Sequence, residues 1–79
     1  MTTANDVFKL FKEYEILSTM ETHRGLYLEI SLCADGSGSL RDETGHEVVI
    51  WRSLDEAAEW LSDAISNTKR NIYIFVGEA

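Results

Sequence analysis

The chain has 79 residues, with 14 acidic against 7 basic side chains and a formal net charge of −7 at pH 7. A chain of this length supports one core, so we expect residues 1–79 to form a single domain without a deep enzymatic cleft. The negative charge disfavours direct binding of nucleic acid or of an anionic membrane, because both require clustered Lys and Arg.

Cysteine content and hydropathy indicate the compartment. Cys33 is the single cysteine, so it cannot form an intramolecular disulfide. No apolar stretch approaches the roughly 20 residues that span a bilayer. The first residues lack the basic, apolar and small-residue regions of a signal peptide. We therefore expect a cytoplasmic protein of a microbe or of one of its viruses, with no membrane partner.

A first helix is predicted from about residue 4 to residue 18. Thr3 or Asn5 can cap its start, and Asp6 adds negative charge where the helix dipole favours it. The hydrophobic period is lost over residues 18–25, where we expect a loop. The apolar residues of the helix recur at intervals of three and four, which places them on one face; they are Val7, Leu10, Phe11, Tyr14 and Leu17.

Three antiparallel strands are predicted next. Leu26, Leu28, Ile30 and Leu32 alternate with other residues up to Cys33, which is typical of a strand with one buried face. Turn-forming residues at 34–39 and 42–45 delimit a short middle strand at about 39–42. The third strand, at 46–52, is apolar on both faces.

A second helix begins at Ser53-Leu54-Asp55-Glu56. This is a capping box, in which the Ser53 hydroxyl accepts from the Glu56 amide and the Glu56 carboxylate accepts from the Ser53 amide. Asn67 is the predicted stop of the helix. Its narrow apolar stripe consists of Leu54, Ala57, Ala58, Leu61, Ala64 and Ile65.

Residues 72–76 are β-branched and aromatic, which predicts a final strand. The predicted fold class is therefore α+β, with two helices packed on an antiparallel sheet of three to four strands in the order α-β-β-β-α-β.

The glycine- and serine-rich loop fits no known ligand loop. From Asp35 onward it has alternating oxygen-bearing side chains, as a calcium loop does, but Leu40 replaces the required glycine and His46 replaces the bidentate acid. Arg41 stands where a dinucleotide-binding loop needs its third glycine. We therefore expect no cofactor.

A thiol- or metal-dependent enzyme is the third-ranked hypothesis. Cys33 with His23 or His46 is the minimal pair of nucleophile and base, but neither histidine has a recognisable spacing to the cysteine. The same residues lack the paired spacing of a zinc site. We predict a non-enzyme with no catalytic residues and no metal site.

The order of one helix, three strands and a second helix is also that of double-stranded RNA-binding domains. Those domains place lysines at the start of the second helix to contact phosphates. In this chain that position reads Ser53-Leu54-Asp55-Glu56, and the predicted fourth strand has no counterpart. The charge contradicts the function of that family, so we do not assign the chain to it.

The predicted sheet has more apolar surface than two helices cover. If Leu28, Ile30, Val48 and Ile50 point toward the helices, aromatic and apolar residues occupy the opposite face. This apolar sheet face comprises Tyr27, Val49, Trp51, Tyr73 and Phe75. Such a cluster is typical of a protein interface, so we predict that it binds a partner or forms a homodimer, unless the first helix or a loop covers it.

Four carboxylates are predicted on the exposed side of the second helix, as an acidic face comprising Asp55, Glu56, Glu59 and Asp63. Such a face can serve solubility alone, or it can bind a basic groove on a partner protein. The leading hypothesis is a small, acidic, non-catalytic protein-interaction module. Its most concrete form is an inhibitor from a phage or mobile element, of the anti-CRISPR or DNA-mimic type, that acts on a nucleic-acid-binding complex. The alternative is a small structural or regulatory homodimer.

Overall fold

The computed structural model describes residues 1–22 and 27–77. Its strands form one antiparallel sheet in the order β1-β2-β3, and both helices pack on one face of this sheet. The α+β class and the order of helix, three strands and helix are confirmed. The elements are α1 (Ala4–Thr22), β1 (Leu28–Leu32), β2 (Gly38–Asp42), β3 (Glu47–Trp51) and α2 (Leu54–Gly77).

The start of α1 is fixed by a reciprocal cap. The Thr3 Oγ1 atom accepts a hydrogen bond from the Asp6 amide at 3.2 Å, and the Asp6 carboxylate accepts one from the Thr3 amide at 3.0 Å. These bonds satisfy two backbone donors that have no partner within the helix. The bond from the Thr3 amide is the main reason that the pKa of Asp6 lies below its ordinary value.

The predicted apolar face of α1 is the face that packs on the core. Val7 and Phe11 are buried, and Leu10 and Tyr14 pack against them. The helix continues to Thr22, so residues 18–22 of the predicted loop are helical. Residues 23–25 of that loop, and Leu26 of the predicted first strand, lie outside the described residues.

The prediction of a final strand at 72–76 is wrong, because these residues continue α2 to Gly77. The buried stripe of α2 does not stop at Asn67: Ile65 and Thr68 are both buried. Contacts between α2 and α1 continue as far as Asn71, and tertiary contacts of this kind can override the modest β-propensity of the residues that follow.

Two polar contacts join the second half of α2 to α1. The Lys69 Nζ atom lies 3.0 Å from Glu13 Oε1, and the Asn71 side-chain amide donates to Glu21 at 3.0 Å. No helix in the described part of the chain is long and apolar enough to cross a membrane.

Two short hairpins connect the strands. In the β2–β3 turn, the Asp42 Oδ1 atom accepts from the Thr44 hydroxyl at 2.6 Å and from the amides of Thr44 and His46 at 2.9 and 3.0 Å. The hydrogen bond from the Thr44 hydroxyl is the main reason that the pKa of Asp42 lies below its ordinary value. Because one carboxylate accepts hydrogen bonds from three nearby donors, the residues of this turn determine its conformation locally.

The inner face of the sheet carries Leu28, Leu40 and Trp51, which are all buried against the helices. This corrects the predicted orientation of β3. Trp51 is only 3% exposed, whereas Ile50 is 66% exposed, so Trp51 points toward the helices and Ile50 points away. Burying the larger aromatic ring removes more apolar surface from water than burying the isoleucine would.

Gly38 makes room for Trp51. The two residues are cross-strand partners, and a Cβ atom at position 38 would lie 3.1 Å from Trp51 Nε1 and would also overlap the Ser31 carbonyl oxygen. The Trp51 Nε1 atom is buried and has no hydrogen-bond partner among the described residues. The ring is therefore held by packing rather than by its polar atom.

We expect Gly38→Ala to lower the free energy of unfolding by about 1–3 kcal/mol, because the new methyl group overpacks a backbone contact that cannot yield easily. Chemical denaturation measures this loss. Gly45→Ala is the comparison for backbone conformation alone, because a Cβ atom there meets nothing within 4 Å but the residue has a φ of 84°. A loss of less than about 0.5 kcal/mol for Gly38→Ala would contradict the packing argument.

Candidate functional site

A groove lies between β3 and the first turns of α2. Its volume is about 290 Å³. One side is the end of β3, and the other is a flank of α2 that combines carboxylates with an aromatic ring. The lining residues are Val49, Ile50, Trp51, Glu56, Glu59, Trp60 and Asp63.

The acidic rim of the groove follows from helical spacing. Glu56, Glu59 and Asp63 are separated by three and then four residues, so they share one flank of α2. With a rise of about 1.5 Å per residue, the stretch from the first to the last covers roughly 10 Å of the helix axis. All three side chains are exposed, so their charge faces whatever enters the groove.

Glu56 also fixes the junction between β3 and α2. Its amide donates to the Ser53 hydroxyl at 3.2 Å, which confirms that half of the predicted capping box. Its carboxylate accepts from the Arg52 amide at 2.7 Å, where the prediction named the Ser53 amide. Because this bond joins the last residue before the cap to the first turn of the helix, it holds the groove's two sides together.

The rim carboxylates have no cation beside them on α2. The sequence from Ser53 to Thr68 contains no Lys or Arg. Within the described ranges, 1–22 and 27–77, the ion pairs are Arg41–Glu47 and Lys69–Glu13, and neither involves a rim residue. Three like charges within about one Debye length of each other give the groove a negative potential.

Two tryptophans supply the apolar part of the groove. Trp51 comes from the core side and is almost fully buried. Trp60 is half-buried and meets Tyr14 of α1 edge to face, with ring centroids 5.5 Å apart and an interplanar angle of 83°. Because α1 holds the Trp60 ring in place, the groove offers a preformed aromatic surface next to carboxylates.

The structure brings together part of each predicted surface. Glu56, Glu59 and Asp63 of the predicted acidic face line the groove with Val49 and Trp51 of the predicted apolar sheet face. Asp55 is exposed on α2 but does not line it.

The remaining residues of the predicted sheet face lie elsewhere. Tyr27 is exposed just before β1. Tyr73 and Phe75 belong to α2 rather than to the sheet, and their side chains lie outside what the structure describes. The placement of Val49 and Trp51 on the open face is wrong, because both pack toward the helices.

From the sequence, Trp60 flanks the apolar stripe of α2 and fits either the core or an interface, whereas Ile50 is predicted to face the helices, so neither residue is assigned to a groove. Trp60 had a usable signal: it lies four residues after Glu56 and three before Asp63, so it must share their flank of the helix. Ile50 has no such signal in the sequence, because its exposure depends on which face of β3 the rest of the fold covers.

The residues of the thiol hypothesis are not brought together. Cys33 is exposed at the β1–β2 hairpin, and His46 is exposed at the β2–β3 hairpin. These hairpins lie at opposite ends of β2, and four strand steps of about 3.4 Å separate them by roughly 14 Å. His23 lies outside the described residues. Among the residues that the structure describes, no three His, Cys, Asp or Glu side chains are grouped to hold a metal ion.

Comparison with protein-family models, with curated proteins and with solved structures found no match for this chain. The groove therefore has to be interpreted from its own chemistry.

We expect the fluorescence of Trp60 to report the charge of the rim. At low ionic strength, caesium should quench it roughly threefold or more better than iodide, after normalisation to a free tryptophan derivative, because the rim attracts cations. The contribution of Trp60 is the difference between the wild type and Trp60→Phe. Trp51, which remains in that variant, should respond weakly to both ions. Equal normalised quenching of Trp60 by the two ions would contradict a negative groove.

Proposed function

We propose that this protein is a small, non-catalytic interaction module that binds a basic segment of another protein in the groove between β3 and α2. The observation that carries the proposal is the combination of Glu56, Glu59 and Asp63 with the two tryptophans around one groove. This combination suits a Lys or Arg side chain, whose charge pairs with carboxylates while its stem or guanidinium packs on an aromatic ring.

The groove is small enough to be filled by one or two side chains of a partner. Pockets that enclose small molecules usually have volumes of about 300–1,000 Å³, and this groove, at about 290 Å³, lies at the bottom of that range. A groove of this kind holds side chains of a partner segment and leaves the rest of that segment outside. The role of the carboxylates is then recognition rather than acid–base chemistry.

Charge gives the module its selectivity. The net charge of −7 attracts basic surfaces over a distance and repels acidic ones. It therefore raises the rate of association with basic partners and suppresses association with acidic ones. The tryptophans add the desolvated contacts that carry most of the energy in protein interfaces. Binding should therefore weaken as salt rises, without vanishing.

The most concrete form of the proposal is an inhibitor of a nucleic-acid-binding complex, encoded by a phage or another mobile element and acting in the cytoplasm. Surfaces that bind nucleic acid present Lys and Arg to phosphates. A row of carboxylates beside aromatic rings can occupy such a surface in place of a nucleic acid, as DNA mimics and some anti-CRISPR proteins do. What supports this form is the charge, the small size and the location of the acids on one groove.

The test is capture from a microbial lysate with wild-type protein and with the double variant Glu59→Lys, Asp63→Lys. We expect the wild type to retain a nucleic-acid-binding protein and a DNA or RNA oligonucleotide to displace it, because both compete for one basic surface. Reversing two rim charges should weaken the reconstituted complex by about tenfold or more. Titration of the purified partner measures this change.

Glu29→Lys with Glu43→Lys is the matched control, since it changes the net charge equally at exposed positions outside the groove. If both double variants weaken binding alike, the groove is not the binding site. If the oligonucleotide does not displace the captured protein, the inhibitor form of the proposal fails while the interaction module stands.

The second candidate function is a structural or regulatory homodimer. It is favoured by the open face of the sheet, where Tyr27, Val48 and Ile50 are 57, 43 and 66% exposed. Self-association would bury these side chains. Against it stands the repulsion between two copies that each carry a charge of −7.

Because of that repulsion, we expect sedimentation to find a monomer at the highest attainable concentration, both at low and at moderate salt. A dimer that Ile50→Thr abolishes would instead establish the homodimer as the function of the sheet face.

A further inference from the structure

The free edge of β3 forms part of the groove. Among the described residues, β3 is the last strand of the sheet and has a neighbour on one side only. An unpaired strand edge presents backbone donors and acceptors that another extended chain can bind. Whether this edge can do so depends on which of its backbone groups point away from β2.

The hydrogen bonds of the first hairpin fix this orientation. The Cys33 amide donates to the Ser37 carbonyl at 2.7 Å, so Cys33 turns its backbone groups toward β2. Ser31, two residues earlier, does the same, because alternate residues of a strand bond to the same side. Its partner is Ser39, which therefore bonds to β1. The residues on either side of Ser39 must then bond to β3.

The second hairpin independently leads to the same directions for the backbone groups of β2. The Asp42 amide donates to the His46 carbonyl at 3.0 Å, so Asp42 faces β3. Leu40 lies two residues earlier and shares this direction. Its partner on β3 is Val49, which therefore turns its backbone N–H and C=O groups toward β2.

Ile50 must face the opposite way from Val49. Its N–H and C=O groups point out of the sheet at the free edge of β3. Just past the end of β3, the Arg52 amide donates to the carboxylate of Glu56, a residue that lines the groove. The backbone next to Ile50 thus borders the groove, and Ile50 itself is one of its lining residues.

The lining of the groove agrees with this placement. Val49, Ile50 and Trp51 are consecutive, so their side chains alternate between the two faces of the sheet, yet all three line the groove. Ile50 takes part either through its backbone or through its side chain, and both place part of the lining at the strand itself. This position leaves room for a chain that runs beside β3.

We propose that the partner's segment binds in an extended conformation, as a fourth strand paired with β3 through the backbone of Ile50. This inference rests on the proposed function and specifies its binding mode. The segment alternates: Lys or Arg side chains point toward α2 and its carboxylates, and apolar side chains point to the open face of the sheet beside Ile50.

The spacing of the rim suits such a segment. Glu59 and Asp63 are four residues apart, or about 6 Å along the helix axis. Alternate side chains of an extended strand are about 6.7 Å apart. Two basic residues that alternate with apolar ones can therefore reach both carboxylates, and the valine or similar residue between them stacks on Ile50 across the strand pair.

The test uses acetyl-Lys-Val-Lys-Val-Lys-Val-Lys-amide as the probe and isotope-labelled full-length protein. Titration should slow the hydrogen exchange of the Ile50 amide, because this amide gains an acceptor. The double variant Glu59→Lys, Asp63→Lys should bind the probe about tenfold more weakly. The control variant Glu29→Lys, Glu43→Lys should stay closer to the wild type.

Two backbone-methylated probes test the strand pairing itself. A residue directly opposite Ile50 in a hydrogen-bonded pair has its side chain on the same face as Ile50, so the valine amides face β3 and the lysine amides face away. N-methylation of the valines should weaken binding about tenfold, through lost hydrogen bonds. N-methylation of the lysines should leave binding nearly unchanged.

Three outcomes would overturn the inference. If both methylated probes bind as tightly as the parent peptide while the rim variant still loses affinity, the groove binds basic segments without strand pairing, and the proposed function stands alone. If the parent peptide does not bind, strand addition is wrong, and the capture experiment decides the proposed function separately. If Ile50 becomes protected with rising protein concentration and no peptide, a second copy occupies the edge.

Discussion

The packing of Trp51 against Gly38 is the constraint on which the rest of the site depends. The glycine leaves the space that the indole ring occupies on the inner face of the sheet. Once Trp51 points inward, the alternation of the strand turns Ile50 outward and leaves it exposed. The same choice puts the Trp51 ring at the back of the groove, where the first turns of α2 add Trp60 and the carboxylates. Core packing and the proposed binding surface are thus consequences of one side-chain orientation.

An open edge strand is usually an aggregation hazard, and proteins limit it with charge. Here the carboxylates of Glu56, Glu59 and Asp63 line the groove between β3 and α2. In the binding mode that we propose, they repel a second copy of this acidic chain and attract a basic segment, so the same charges would protect the edge and select its partner. Solubility and recognition, which the sequence presents as competing explanations of the acids, are compatible functions of one rim.

Local signals predicted most of the fold. The cap at Thr3, the cap at Ser53 and the apolar faces of both helices depend on residues within one or two helical turns, and the structure confirms them. The prediction of a final strand was wrong because local propensity does not include contacts between α2 and α1, such as the bond between Asn71 and Glu21, which are fifty residues apart in sequence. The spacing of Ile65 and Thr68 continues the buried stripe, whereas the β-branched residues that follow favour a strand by propensity alone.

The groove was less predictable than the fold because it depends on the face and the edge of β3 together. Val48 to Trp51 are apolar at every position, so hydrophobic alternation cannot decide which face is buried. Which face of β3 is buried depends on the register of the strands, because pairing with β2 sets Trp51 opposite Gly38. A slip of one residue would place Ile50 there and turn the backbone groups of Trp51 to the free edge. The acids on α2 could be found from spacing alone, but the surface that they serve exists only in the paired sheet.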